Sequence, residues 1–128
     1  RRAMRYIETF REGLHISDVY LCKNKQIALT KAGKEYGNLI LQDKTGTIDA
    51  KIWDLNSPGV GNFETMDYVY IDADVTMFQN SNQLNVKRVR KAEESEYIPY
   101  IQPFRQRSKA VYFSSINAIL QPLKQQFL

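Results

Sequence analysis

Apolar and polar positions alternate through most of this chain. Residues 47–53, TIDAKIW, put Ile48, Ala50 and Ile52 on one side and Asp49, Lys51 and Trp53 on the other, the period of a half-buried antiparallel strand. Residues 68–78 do the same, with Val69, Ile71, Ala73, Val75 and Met77 inward and Tyr68, Tyr70, Asp72, Asp74, Thr76 and Phe78 outward. Residues 37–43 place Leu39 and Leu41 on one face. Residues 14–30 are apolar and β-branched apart from a polar stretch at 23–26, which predicts one long, bent strand. In 84–90, Leu84 and Val86 share a face but Val89 has the wrong parity. An extra residue near Lys87 and Arg88, a β-bulge, would return Val89 to the core.

The connections carry turn chemistry. Residues 31–36, KAGKEY, read as a loop. Residues 44–46 make a turn in which Asp43 bonds the backbone ahead of it and Gly46 adopts positive φ. Residues 54–66, with Pro58, Gly59 and Gly61, form a longer connector with one helical turn near Phe63. Residues 79–83, QNSNQ, are the last turn. Before the strands, residues 1–12 mix charge with Tyr6, Ile7 and Phe10 and predict a lead-in that packs onto the domain; residues 1–3 read as a cloning remnant. After the strands, Glu93, Glu94 and Glu96 lead to Pro99 and Pro103, which argue against regular helix or central strand there. From 108 to 120, Val111, Tyr112, Ser115, Ile116, Ile119 and Leu120 recur at helical spacing, predicting an amphipathic helix that ends before Pro122.

Five antiparallel strands, the first long and bent, with a longer connection between the third and fourth, are the plan of an all-β, five-stranded Greek-key barrel, the OB-fold, here with a C-terminal amphipathic helix. A length of 128 residues suits one core. The expected division is a lead-in at 1–12, the OB-fold domain at 13–96, and a Pro-containing linker with helix at 97–128. A composition of 43% hydrophobic and 25% charged residues is that of a folded globular protein. No apolar run reaches the roughly 20 residues that span a bilayer, so no membrane partner and a cytoplasmic location are expected. Net charge of +4 inclines the chain toward polyanions.

The runs LILQDKTGTIDAKIWD (39–54) and DYVYIDADVTMFQNSNQLNVKRVR (67–90) resemble the N-terminal OB domain of YhaM-type 3′→5′ exoribonucleases and, more loosely, OB domains of the anticodon-binding class. The likeness extends over residues 5–96. It implies a single-stranded nucleic-acid module, with RNA as the expected ligand, serving a 3′→5′ exoribonuclease. Proteins of this kind carry a following HD-type metal-dependent phosphohydrolase domain, which needs several histidines and an adjacent His-Asp pair. This chain has only His15, followed by Ile16. Hydrolase activity is therefore expected of an HD nuclease domain outside it, with divalent metal needed only there and no cofactor in this chain.

An OB barrel grips ligand on the outer face of strands two and three, between the loops that join strands one to two and four to five. The candidates are Lys31, Lys34 and Tyr36 in and beside the first loop, Asn38 on strand two, and Lys51 and Trp53 on strand three. Phe78 stands before the second loop, and Lys87, Arg88 and Arg90 lie on strand five. Aromatic planes stack on bases of any identity while cations follow the phosphates, so weak, salt-sensitive, sequence-tolerant binding to single-stranded RNA or DNA is expected.

Each candidate also has a purely structural reading. Trp53 suits packing as well as stacking, and Lys87 with its neighbours suits a charged edge strand that resists aggregation. Asp72 and Asp74 share a face but make a poor metal pair without further ligands, and His15 has no evident triad partner. The lone Cys22 forms no internal disulfide and no zinc set. The alternative to nucleic-acid binding is a protein-interaction or homo-oligomerisation barrel.

Overall fold

The computed structural model describes residues 4–99. Five strands, β1 (His15–Leu29), β2 (Glu35–Asp43), β3 (Gly46–Ile52), β4 (Tyr68–Phe78) and β5 (Ser81–Lys91), close into a barrel in the order β1-β2-β3-β5-β4. Closure depends on the length of β1. Its first half pairs with β4 and its second with β2, Leu21 faces both Tyr68 and Gln42, and a register shift between Cys22 and Asn24 bends the strand where it changes partner. The parallel contact of β3 with β5, Asp49 to Gln83 through Lys51 to Asn85, completes the ring.

Inward positions supply the core. Leu39, Leu41, Ala50, Ile52, Val69, Ile71, Ala73 and Val75 are buried, as are Leu84, Val86 and Val89. Val89 reaches the core because the β4–β5 register shifts between Asp72 and Ala73: Asp72 faces Arg88, Ala73 faces Val86, and Lys87 is the extra residue. One inward position on β1 is a carboxylate. Asp18 is fully buried and accepts from the backbone N–H of Arg5 at 3.0 Å and of Val19 at 2.8 Å, which offsets the cost of removing it from water.

Two irregular segments close the barrel ends. At the end holding the β2–β3 and β4–β5 turns, a 3₁₀ turn (Ile7–Thr9) inserts Ile7 and Phe10, and Phe10 meets Tyr20 edge-on with ring centroids 6.0 Å apart. At the other end the β3–β4 connector buries Phe63, with Leu55 and Val60 packed alongside. That connector has no helical turn near Phe63, contrary to the sequence expectation; Val60 instead bridges to Val89, and Gly61 N–H donates to the Val89 carbonyl. Its apolar side chains serve the barrel end, so the backbone follows β5 rather than coiling.

Other expectations shift in detail. Met77 is 44% exposed, because the lead-in crosses β4 at Val75 and the strand beyond projects past the core. The last turn is only Gln79 and Asn80, both at positive φ (50° and 66°), and residues 81–83 belong to β5. Glu35 and Tyr36 belong to β2 rather than the loop. Residues 94–99 are helical despite Pro99, within a unit that begins at Glu94. Glu94 and Glu96 fall in the first turn, where the helix dipole favours acidic side chains. The helix expected at 108–120 and Pro103 lie outside the described residues.

Candidate nucleic-acid interface

The β2–β3 turn fixes which side chains meet on the outer face. Asp43 accepts from the N–H of Thr45 at 2.7 Å and from its hydroxyl at 2.6 Å, setting a register that pairs Asn38 with Lys51 and Gly37 with Ile52. Tyr36 and Trp53 flank that last pair, and their rings lie 4.9 Å apart at 34°. Gly37 matters to this contact. A Cβ there would come within 3.2 Å of Ile52 and 3.3 Å of Leu55, so the missing side chain lets Leu55, at the start of the β3–β4 connector, pack close against β2. Trp53 remains 44% exposed.

Beside the aromatic pair, Lys51 Nζ donates to the Asn38 side-chain oxygen, which holds a cation on the sheet surface. Lys31 and Lys34 occupy the β1–β2 loop, where Thr30 N–H donates to the Lys34 carbonyl at 2.8 Å and Gly33 takes φ of 85°. Both lysines are exposed. The structure therefore gathers Tyr36, Asn38, Lys51 and Trp53 on one face, with Lys31 and Lys34 at its edge. Lys87, two residues beyond Asn85 on β5, falls level with Trp53 if the β3–β5 register is continued. Phe78 is exposed at the opposite end of the barrel.

Arg88 and Arg90 are not brought to this face. Arg88 stands opposite Asp72 on β4, and the Arg90 guanidinium lies 4.8 Å over the Tyr70 ring. Beyond the bulge at Lys87 the β3–β4 connector runs beside this part of β5, with Gly59 against the Arg88 side chain and Gly61 against Arg90. Sequence reasoning left out Gln83 and Asn85, whose side-chain positions extend the β2–β3 face across β5. Alternation with Leu84 and Val86 marked them as outward, but only barrel closure sets them beside β3.

The remaining titratable cluster lies on the β1–β4 surface. His15 Nδ1 is 2.6 Å from Asp74, its Nε2 bonds Asp72, and the Ser17 hydroxyl donates to Asp72 at 2.6 Å. The bonds to Asp74 and then Asp72 raise the His15 pKa, while the Ser17 hydroxyl and then His15 lower that of Asp72. With both ring nitrogens held by carboxylates, His15 presents no lone pair to a metal. Among the described residues no group of three or more His, Cys, Asp or Glu side chains is arranged to hold one. Burial pushes the Cys22 thiol up to about 11, so it stays protonated near neutrality. No helix among the described residues is long and apolar enough to cross a membrane.

With this geometry the chain resembles known proteins in two ways. It is 29% identical over 86 residues to the 3′-5′ exoribonuclease YhaM of Bacillus velezensis, a match covering 67% of this chain and 27% of that protein. The YhaM of Geobacillus sp. is 33% identical over 82 residues, 63% of this chain and 25% of the relative. The chain thus spans about a quarter of the length of these curated relatives. Among solved structures, the second OB-fold domain of replication protein A from Methanococcus maripaludis superposes with a TM-score of 0.53 at 17% identity, covering 70% of this chain and 95% of that one. A replication protein A heterotrimer bound to ssDNA gives a TM-score of 0.54 at 17% identity, covering 73% of this chain and 69% of that one. No family model matches the chain. The barrel is an OB-fold, and its sequence is similar to that of YhaM exoribonucleases.

Proposed function

We propose that this barrel binds single-stranded nucleic acid, RNA in particular, and presents it to a 3′→5′ exoribonuclease domain carried outside this stretch. The observation that carries the reading is the Tyr36–Trp53 pair beside Lys51 on the outer β2–β3 face of an OB barrel. Bases stack on exposed aromatic planes and phosphates pair with cations; a strand lying on this face meets both in adjacent register rows. Similarity to relatives named as exoribonucleases supports RNA as the ligand. Hydrolysis, with the divalent metal it requires, falls to a separate HD-type domain. Fluorescence anisotropy with labelled oligo(A), oligo(U) and oligo(dT) at two salt concentrations tests this. Binding that weakens as salt rises is expected, and no binding at low salt defeats it.

A second reading, an interaction or self-association barrel, draws on Ile27 and Leu29, which are 50% and 65% exposed near the end of β1. Light scattering over a range of protein concentrations separates the two. A stable oligomer that ignores oligonucleotides supports the second.

A further inference from the structure

Three cross-strand rows make up the outer face beyond the aromatic pair: Asn38, Lys51 and Asn85; Ile40, Asp49 and Gln83; then Gln42 and Thr47. Alternate residues on a strand are about 6.6 Å apart, so successive rows can meet successive stretches of one bound strand. The middle row differs in charge. Asp49 is exposed and its carboxylate makes no hydrogen bond or ion pair with any described residue, unlike those of Asp43, Asp72 and Asp74. A carboxylate in the middle of a surface that receives a polyanion is unfavourable unless something there donates to it.

We infer that Asp49, with Gln83 beside it, is a base-selecting element that favours bases bearing an exocyclic amino group over uracil, and guanine most of all. The inference rests on the nucleic-acid reading above. An ionised carboxylate only accepts hydrogen bonds, and it pairs with the amino group of cytosine. Guanine offers two adjacent donors, N1–H and the N2 amino group, which match the two carboxylate oxygens. Adenine and cytosine offer one amino group beside a ring nitrogen that accepts, a contact the Gln83 amide can complete. Uracil offers a single N3–H flanked by two carbonyl oxygens, so one carboxylate oxygen must face a carbonyl. Stacking on Tyr36 and Trp53 tolerates any base; the Asp49 row does not.

The test compares oligo(U), oligo(C), oligo(A) and an oligo(U) tract interrupted by one guanine on the full chain and its Asp49→Asn variant. Asp49 is exposed and the exchange nearly isosteric, so an unchanged unfolding midpoint is the control. The unmodified chain should bind the guanine-containing tract about tenfold more tightly than oligo(U), within the discrimination of a good bidentate pair. Asp49→Asn should bring that ratio close to one, mainly by improving uracil binding. Equal ratios in the two proteins would overturn the inference. So would uniform tightening on every oligonucleotide, which would make Asp49 a mere repeller of phosphate. Failure of the unmodified chain to bind any of them instead defeats the nucleic-acid reading itself, and base selection with it.

Discussion

His15 Nδ1 and the Asp74 carboxylate meet at 2.6 Å across the β1–β4 seam, while the other ring nitrogen is bonded to Asp72. Only the imidazolium donates from both nitrogens, so the fold favours the protonated ring and its pKa rises above the ordinary 6.5.

The sign of the resulting pH dependence follows. A group with a raised folded-state pKa adds stability that is fully present below its unfolded pKa and is lost as pH climbs through the folded value. Asp72 acts oppositely: its pKa is lowered, so its contribution is present above the usual carboxylate range and is lost as pH falls through the folded value. Urea midpoints of the unmodified chain and His15→Gln should differ most on the acidic side of neutrality, at roughly pH 5, and converge by roughly pH 9. An NMR titration placing the His15 ring at or below 6.5 would contradict this. His15 is half exposed, so solvent screening keeps the effect small.

Trp53 and Lys51 contribute separable parts of binding under the proposed function. Trp53→Ala should weaken every oligonucleotide by about fivefold to a hundredfold, the range for loss of one stacked base. Lys51→Gln should reduce the slope of log affinity against log salt by about 0.7 if it neutralises one phosphate of a single strand. Arg90→Gln, whose parent side chain lies over Tyr70, should leave both measures near their starting values. Anisotropy titrations at several salt concentrations read all three. A larger loss from Arg90→Gln than from Trp53→Ala would move the interface to the β4–β5 surface.

The bulge at Lys87 was legible because an apolar residue at the wrong parity in a charged strand has one inexpensive remedy. The five strands and their inward residues, Met77 excepted, were legible for the same reason, since period-two alternation reports burial directly. The meeting of Tyr36 with Trp53 was not. It depends on the Gly37–Ile52 register, which is set by the side-chain bonds of Asp43. The neighbourhood of Asp49 and Gln83 depends on parallel contact between strands distant in sequence. Phe63 misled because apolar residues in a connector fit a local helix as well as a plug, and only the open barrel end decides between them.

Gln79 and Asn80 both occupy the left-handed region, the backbone of a two-residue type I′ hairpin turn. Asparagine tolerates that region, but glutamine carries a steric penalty there. The double variant Gln79→Asn with Asn80→Gly, which installs the preferred Asn-Gly turn, should stabilise the fold by about 0.5–1 kcal/mol, since the usual cost of left-handed backbone for an ordinary residue is about 1–2 kcal/mol and added glycine entropy returns part of the gain. Denaturant unfolding with an unchanged m-value would register it, and a lower midpoint would show that Gln79 makes a compensating contact.

Asp43 joins the β2–β3 turn to the lead-in. One carboxylate oxygen holds Thr45, and the other accepts from the N–H of Ile7 at 2.8 Å, in the same 3₁₀ turn whose Glu8 N–H reaches the Thr45 hydroxyl at 3.1 Å. Phe10 then buries its ring against Tyr20, and the Phe10 carbonyl accepts from Asn82 at 3.1 Å. The lead-in is thus part of the core. Phe10→Ala should cost about 3–5 kcal/mol, as for other buried aromatics. Asp43→Asn keeps the size but removes the charge from three accepted bonds; charge-assisted bonds contribute about 1.5–3 kcal/mol each at most and these are part-exposed, so about 2 kcal/mol in all is expected. Because both residues act through the same segment, the double variant should lose less than the sum of the single losses. Strict additivity in urea unfolding would show that the turn and the lead-in fold independently, and that Asp43 stabilises only the turn.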